Sequence, residues 1–219
     1  MSMLRAASVD LVLDVGANIG QYAMRLREFG YRGRIVSFEP LSTAFKSLEQ
    51  ACASDAGWEA VPVALGGAPG KATLHVSSNS WSSSLLEMLP GLVEAAPESA
   101  FVGAEEVTVQ TLAWALDKYR ENTEATFLKL DVQGSERAII EGAGDWLQRL
   151  AGIQIELSLA PLYQGESLYL EMIALLSAKG FVLMDLEPGY RDPGSGQLLQ
   201  VDGIFFRPRV PVSPSPANG

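Results

Sequence analysis

Leu11-Val12-Leu13-Asp14-Val15-Gly16-Ala17-Asn18-Ile19-Gly20 runs from a short apolar segment through an acid into a tight glycine-containing turn, and Gln21–Phe29 continues with helical periodicity. Strand, turn and helix in that order make the first βα unit of a nucleotide-binding α/β domain. Gly16 lets the backbone approach a ligand, and Gly20 suits close packing of helix on strand. Asp14 falls at the carboxyl end of the strand, where open α/β sheets bind their ligands.

Outward from this unit the pattern repeats. Arg34–Phe38 reads as a second strand ending in Glu39-Pro40, and Ser42 is placed to cap a helix over Thr43–Ala53. Trp58–Leu65 reads as a third strand. The alternation then breaks. Lys71–Val76 has the period of a half-exposed strand, Ser77–Ser84 is a serine-rich loop, Leu85–Ala104 is mixed, and Glu106–Val109 is a short strand. The stretch 66–110 is therefore an insertion of the kind that forms a lid or substrate loop. Leu112–Tyr119 (helix), Thr126–Val132 (buried strand), a helix opened by Gly134-Ser135-Glu136, Ile153–Leu159 (strand) and Leu168–Ala178 (helix) restore it. Phe181–Leu186 and Gly203–Phe206 read as a terminal antiparallel hairpin. Residues 1–207 make one domain on this reading, and the Pro/Ser-rich stretch 208–219 a disordered tail.

The totals agree with one globular α/β domain: 219 residues, 47% of them hydrophobic. A net charge of −10 disfavours nucleic acid and a polybasic membrane contact. No apolar run approaches the roughly 18 residues of a membrane span. The single cysteine, Cys52, excludes an intrachain disulfide and fits a cytoplasmic location. A homo-oligomer is left open.

Chemistry enters with Glu39, 23 residues beyond Gly16 at the end of the second strand. An acid about twenty residues past the turn can accept both hydroxyls of a ribose. A dinucleotide fingerprint, G-x-G-x-x-G, would have glycine where this chain has Asn18, and Asp14 would repel a pyrophosphate. S-adenosylmethionine combines ribose and adenine with an ammonium group and a cationic sulfonium, and carries no phosphate. Electrostatics favour it over NAD or FAD.

The motifs D-V-G-A-N-I-G (14–20), S-F-E-P (37–40), V-P-V-A-L-G (61–66), K-L-D-V-Q-G-S-E (129–136) and I-E-L-S (155–158), in this order, resemble the FkbM-type S-adenosylmethionine-dependent methyltransferases over residues 9 to 207. The resemblance implies the Rossmann-like class I methyltransferase sheet, three-layered α/β/α, in strand order 3-2-1-4-5-7-6 with the seventh strand antiparallel. It implies methylation of a hydroxyl on a small acceptor, a sugar or a natural product. By the same match Asp14, Gly16, Ala17, Asn18 and Gly20 line the methionine part of the cofactor. Glu39, followed by Pro40, binds ribose, and Ala64 and Leu65 lie near the adenine. The family usually has Glu where this chain has Gln133, so that acid's role does not carry over. With eight residues before the first strand, cover for the site is expected from the 66–110 insertion, from a second subunit, or not at all.

Asp131, at the end of a central strand, is the first candidate for general base or acceptor-orienting group, and Glu156 on the adjacent strand is the second. Two carboxylates there would raise one another's pKa or jointly hold a divalent cation such as magnesium. Lys129 shares a strand face with Asp131 and reads as its ion-pair partner. Glu136 fits a helix-dipole role, and His75 a solvent-facing one. Trp81 reads as a packing anchor or a platform for a sugar ring. The competing readings are an NAD(P)-dependent oxidoreductase on a Rossmann sheet and a cofactor-binding homologue without catalysis.

Overall fold

Strand β1 (Leu11–Val15) is buried along its whole length in the computed structural model, which describes residues 1–121 and 124–208. Alternate side chains serve two layers. Leu11, Leu13 and Val15 join a core with Leu112, Leu116, Ile140 and Leu176. Val12 faces the opposite layer, with Leu4, Leu26 and Leu48. The other elements are α1 (Ser2–Ala6), α2 (Gln21–Glu28), β2 (Arg34–Phe38), α3 (Ser42–Cys52), β3 (Trp58–Val61), β4 (Ala64–Gly66), β5 (Gly70–Ser77), α4 (Pro90–Ala95), β6 (Phe101–Thr111), α5 (Leu112–Tyr119), β7 (Thr126–Leu130), α6 (Glu136–Gly142), β8 (Leu150–Ser158), α7 (Tyr169–Ala178), β9 (Val182–Pro188) and β10 (Gln200–Phe206).

The main sheet has seven strands in the order β3-β2-β1-β7-β8-β10-β9. Counted along the chain within this sheet, that is 3-2-1-4-5-7-6. β10 runs antiparallel to both its neighbours, while β3, β2, β1, β7 and β8 pair in parallel. Helices cover both faces, as a parallel sheet buried on two sides requires. This is the Rossmann-like class I methyltransferase architecture.

Three local expectations change. The third strand does not reach Leu65: it ends at Val61, before Pro62, which has no N–H for a ladder, and Ala64–Gly66 joins a second sheet in the order β4-β6-β5. The expected 106–109 strand extends over Phe101–Thr111 and pairs antiparallel with β5. Ser42 is the first helical residue rather than the cap, and its hydroxyl donates to Glu105 at 2.9 Å. Helix α1 lacks a periodic signal and was not expected. Of the tail, residues 209–219 lie outside the described residues.

One row across the sheet is polar. Register places Ser37, Asp14, Lys129 and Gln154 side by side on β2, β1, β7 and β8, on the face that carries Val12. Asp14 and Ser37 are fully buried. Such a row is tolerated only if its members pair. Among the described residues, no helix is long and apolar enough to cross a membrane.

Candidate active site

At the carboxyl end of β1 the chain turns under the constraint of two glycines. Gly16 has φ +75° and Gly20 φ +93°, with Asn18 also in the left-handed region at φ +48°. The amides of Gly16 and Ala17 both donate to the Phe38 carbonyl at 3.1 Å, which moors the turn to β2. A Cβ on Gly16 would lie 1.8 Å from the backbone carbonyl oxygen of Asp131, so the turn touches the end of β7 through this glycine. The Asp131 amide in return donates to the Val15 carbonyl at 3.1 Å.

Glu39 is held across the turn. Its Oε2 accepts from the Asn18 amide at 2.7 Å and its Oε1 from the Leu41 amide at 2.8 Å. Each oxygen keeps a further lone pair for a ligand hydroxyl. Burial pushes the Glu39 carboxyl up to about 7 despite these two amides.

A cavity of about 540 Å³ opens here, and Gly16, Ala17, Asn18, Glu39, Pro40, Ala64, Leu65 and Asp131 all line it. Its size falls within the roughly 300–1,000 Å³ of small-molecule sites. Asp14, Gly20 and Glu156 are not on its wall. Asp14 lies behind the turn, where Oδ2 accepts from the Ser37 hydroxyl at 3.0 Å and Oδ1, without a hydrogen-bond partner, is 3.7 Å from the Lys129 ammonium. Gly20 caps the start of α2, and its missing side chain makes room for the Trp58 ring.

Lys129 joins the buried row to the cavity. Its ammonium donates to the Gly16 carbonyl at 3.2 Å and to Asp131 Oδ2 at 3.3 Å. Burial alone would lower its pKa, but the charges of Asp131 and Asp14 outweigh that and hold it above the ordinary lysine value. The other oxygen of Asp131 accepts from Gln133 Nε2 at 2.8 Å.

That same Gln133 nitrogen donates to Glu156 Oε2 at 2.7 Å, while Gln133 Oε1 accepts from the Tyr163 hydroxyl at 2.8 Å. An amide N–H thus stands between the two carboxylates where a shared cation would have to sit, so the arrangement does not fit a jointly held magnesium ion. Among the described residues, no group of three or more His, Cys, Asp or Glu side chains is arranged to hold a metal. Burial, then the charge of Asp131, lifts Glu156 well above the usual carboxylate range, which favours its neutral form.

Two other sequence candidates take structural places. Glu136 accepts from the Val132 and Gly134 amides, each at 3.0 Å, and so closes the loop after β7. His75 stacks on Phe101 in the second sheet, away from the cavity. Composition did not reveal Tyr22, Gln154 and Asp202, which line the far side of the cavity. Strand pairing sets Gln154 beside Lys129 and Asp202 beside Glu156, and Tyr22 of α2 joins them by donating its hydroxyl to Gln154 Oε1 at 3.1 Å.

The buried acids have a consequence for stability. Burial raises Glu39 and Glu136 to about 7, from an ordinary 4.5, and Asp202 to about 6, from 3.8. The folded chain therefore keeps these protons at pH values where the unfolded chain has lost them, and stability falls as pH rises through that window. The melting temperature of the ligand-free protein is expected to be lower at pH 8 than at pH 5.5. Glu39→Gln and Glu136→Gln should each flatten the decline, which melting curves against pH would check.

The sequence profile of the family described as methyltransferase FkbM domain matches residues 14–183. No curated protein matches the chain. Among solved structures, it is similar to magnesium protoporphyrin IX methyltransferase from Synechocystis PCC 6803 with bound S-adenosylmethionine, at 13% identity and a TM-score of 0.51 over 94% of this chain and 76% of that one. It is likewise similar to the Methanococcus jannaschii fibrillarin pre-rRNA processing protein, at 13% identity and a TM-score of 0.51 over 91% and 66% of the two chains. At such identity these likenesses concern the fold. The site fits the methyl donor on its own geometry: the turn residues Gly16, Ala17 and Asn18, the free lone pairs of Glu39, and the apolar Ala64 and Leu65 all line one cavity. The chain belongs to the FkbM methyltransferase family, and it is a methyltransferase that uses S-adenosylmethionine.

Proposed function

We propose that this enzyme transfers the methyl group to a hydroxyl of a small acceptor, a sugar or a natural product, and that Asp131 takes up the hydroxyl proton. The observation that carries this reading is the position of Asp131. Its backbone packs against Gly16 of the donor turn, its carboxylate is on the cavity wall, and, unlike Glu39, it makes no hydrogen bond to that turn's amides. When bound, S-adenosylmethionine supplies a methyl group already activated by a positive sulfur.

What remains for the protein is alignment and proton removal. The Gly16–Gly20 turn and Glu39 fix the donor. Lys129 and Gln133 each hold one oxygen of Asp131 and so set its plane. Alignment is worth up to about 7–11 kcal/mol in favourable intramolecular cases, and a placed base adds about 10²–10⁴-fold. Glu156, off the cavity wall and favoured in its neutral form, supports Asp131 through Gln133 in this scheme.

Charge supports a small acceptor over a polyanion. Glu39, Asp131, Asp185, Glu187 and Asp202 line the cavity against Arg25 and Lys129, and Lys129 is committed to Asp131 and Asp14. We read residues 1–207 as one domain, because Leu74, Val107 and Val109 of the second sheet pack on Leu41 and Ala44 beside α3. A cytoplasmic location belongs to the same proposal.

The test is mass spectrometry of small hydroxylated acceptors incubated with enzyme and S-adenosylmethionine, with RNA as a parallel substrate. A mass gain of one methylene, located on oxygen, is expected in a small acceptor. Methylation confined to RNA or to amines would overturn the reading.

A further inference from the structure

The serine-rich loop after β5 lines the cavity through Ser80, Trp81 and Ser83 and is anchored at two points. Near one end, Ser80 Oγ accepts from Asn18 Nδ2 at 3.1 Å. At the other, the fully buried Ser84 donates its hydroxyl proton to the Gln133 carbonyl at 2.6 Å. Asn79, just before the first anchor, cross-ties the loop. Asn79 Oδ1 accepts from the Ser82 amide at 3.0 Å, and Asn79 Nδ2 donates to Ser82 Oγ at 3.2 Å and Ser99 Oγ at 3.3 Å. These hydrogen bonds make the serine-rich loop a fixed strap.

Trp81 stands on this strap next to the Ser80 anchor. It lines the cavity, yet the residue is 65% exposed. A large aromatic face left in water on a tied backbone is a surface that gains from being covered. What covers it follows from its neighbours. Asn18 holds Ser80 through its side chain and Glu39 through its backbone amide, so Trp81 directly follows a residue bonded to the same asparagine as the ribose acid. The same cavity has apolar lining from Val63, Ala64, Leu65 and Leu85. A flat, partly apolar group bonded to a ribose matches both surfaces.

We propose that Trp81 is a donor-binding residue whose indole closes over the adenosine part of S-adenosylmethionine. This rests on the donor-site reading given above. S-adenosylhomocysteine, which needs no acceptor, is the probe, with affinity read by calorimetry and the ring's environment by tryptophan fluorescence. Among the tryptophans, Trp58 is buried with its N–H bonded to Ser37, and Trp114 and Trp146 are off the cavity wall.

Binding to the wild-type chain should change the emission. Trp81→Phe should keep affinity within a few-fold while losing most of that change. Trp81→Ala should weaken binding about 5- to 160-fold, the range of base–aromatic stacking. Unchanged affinity in Trp81→Ala, or an undiminished emission change in Trp81→Phe, would overturn the proposal alone. No binding to the wild-type chain would overturn the donor-site reading and this proposal with it.

Discussion

Asp131→Asn should lower kcat by about 10²–10⁴-fold while leaving the affinity for S-adenosylhomocysteine within a few-fold, because only a base acting on the acceptor is removed. The geometry adds a second effect. In the wild-type chain one oxygen of Asp131 accepts from Gln133 and the other from Lys129. An asparagine has one acceptor and one donor end, so its NH₂ must face either the Gln133 N–H or the Lys129 ammonium. Lys129 would then keep Asp14, 3.7 Å away, as its remaining charge partner. A loss of about 1–3 kcal/mol in stability is expected from that mispairing. Glu156→Gln is the control. Burial favours the neutral acid at that position, and glutamine has nearly its shape, so turnover should change little. Stopped activity in Glu156→Gln with turnover retained in Asp131→Asn would reverse the assignment. Steady-state kinetics with the acceptor found by mass spectrometry, together with calorimetry, reads both.

The parts of this site that were legible in the sequence are those encoded by local order. The run 11–20 announces a strand, a turn that needs positive φ and a helix, because few residue types other than glycine tolerate φ of +75° and +93°. Lys129 and Asp131 are two apart on one strand, so period two alone puts them on one face, and they pair. The Gln133 bridge was not legible. It depends on a left-handed residue other than glycine, φ +57°, and on Tyr163, thirty residues later, holding its oxygen. Asp14 shows the limit of motif reading. Strand-end position is local, but whether the carboxylate faces the cavity or the buried row depends on Ser37 and Lys129, which only strand register brings beside it. The split after Val61 was visible in Pro62, although an apolar run on both sides of it hid the break.

Gly16→Ala should cost the protein both stability and donor binding, and Gly20→Ala stability alone. Both positions have positive φ, so each alanine carries an intrinsic penalty of about 1–2 kcal/mol. What the new methyl meets then separates them. At Gly16 it would lie 1.8 Å from the carbonyl oxygen of Asp131, a backbone atom that also ends β7. Relief requires the turn and that strand end to part, which displaces the cradle and Asp131 together. A total loss of roughly 2–4 kcal/mol is expected, a fall in melting temperature of about 5–15 °C for a chain of this size. Affinity for S-adenosylhomocysteine should fall at least about tenfold, the equivalent of roughly 1.4 kcal/mol. At Gly20 the methyl meets the Trp58 ring at 2.8 Å and a Leu48 methyl at 3.0 Å, buried side chains that are off the cavity wall, so the repacking they force costs stability. Its folded fraction should bind S-adenosylhomocysteine nearly as the wild type does. Melting curves and calorimetry on the two variants side by side test this. Equal loss of binding in both would mean that the turn holds the donor through its overall shape, and that contact between Gly16 and Asp131 is incidental.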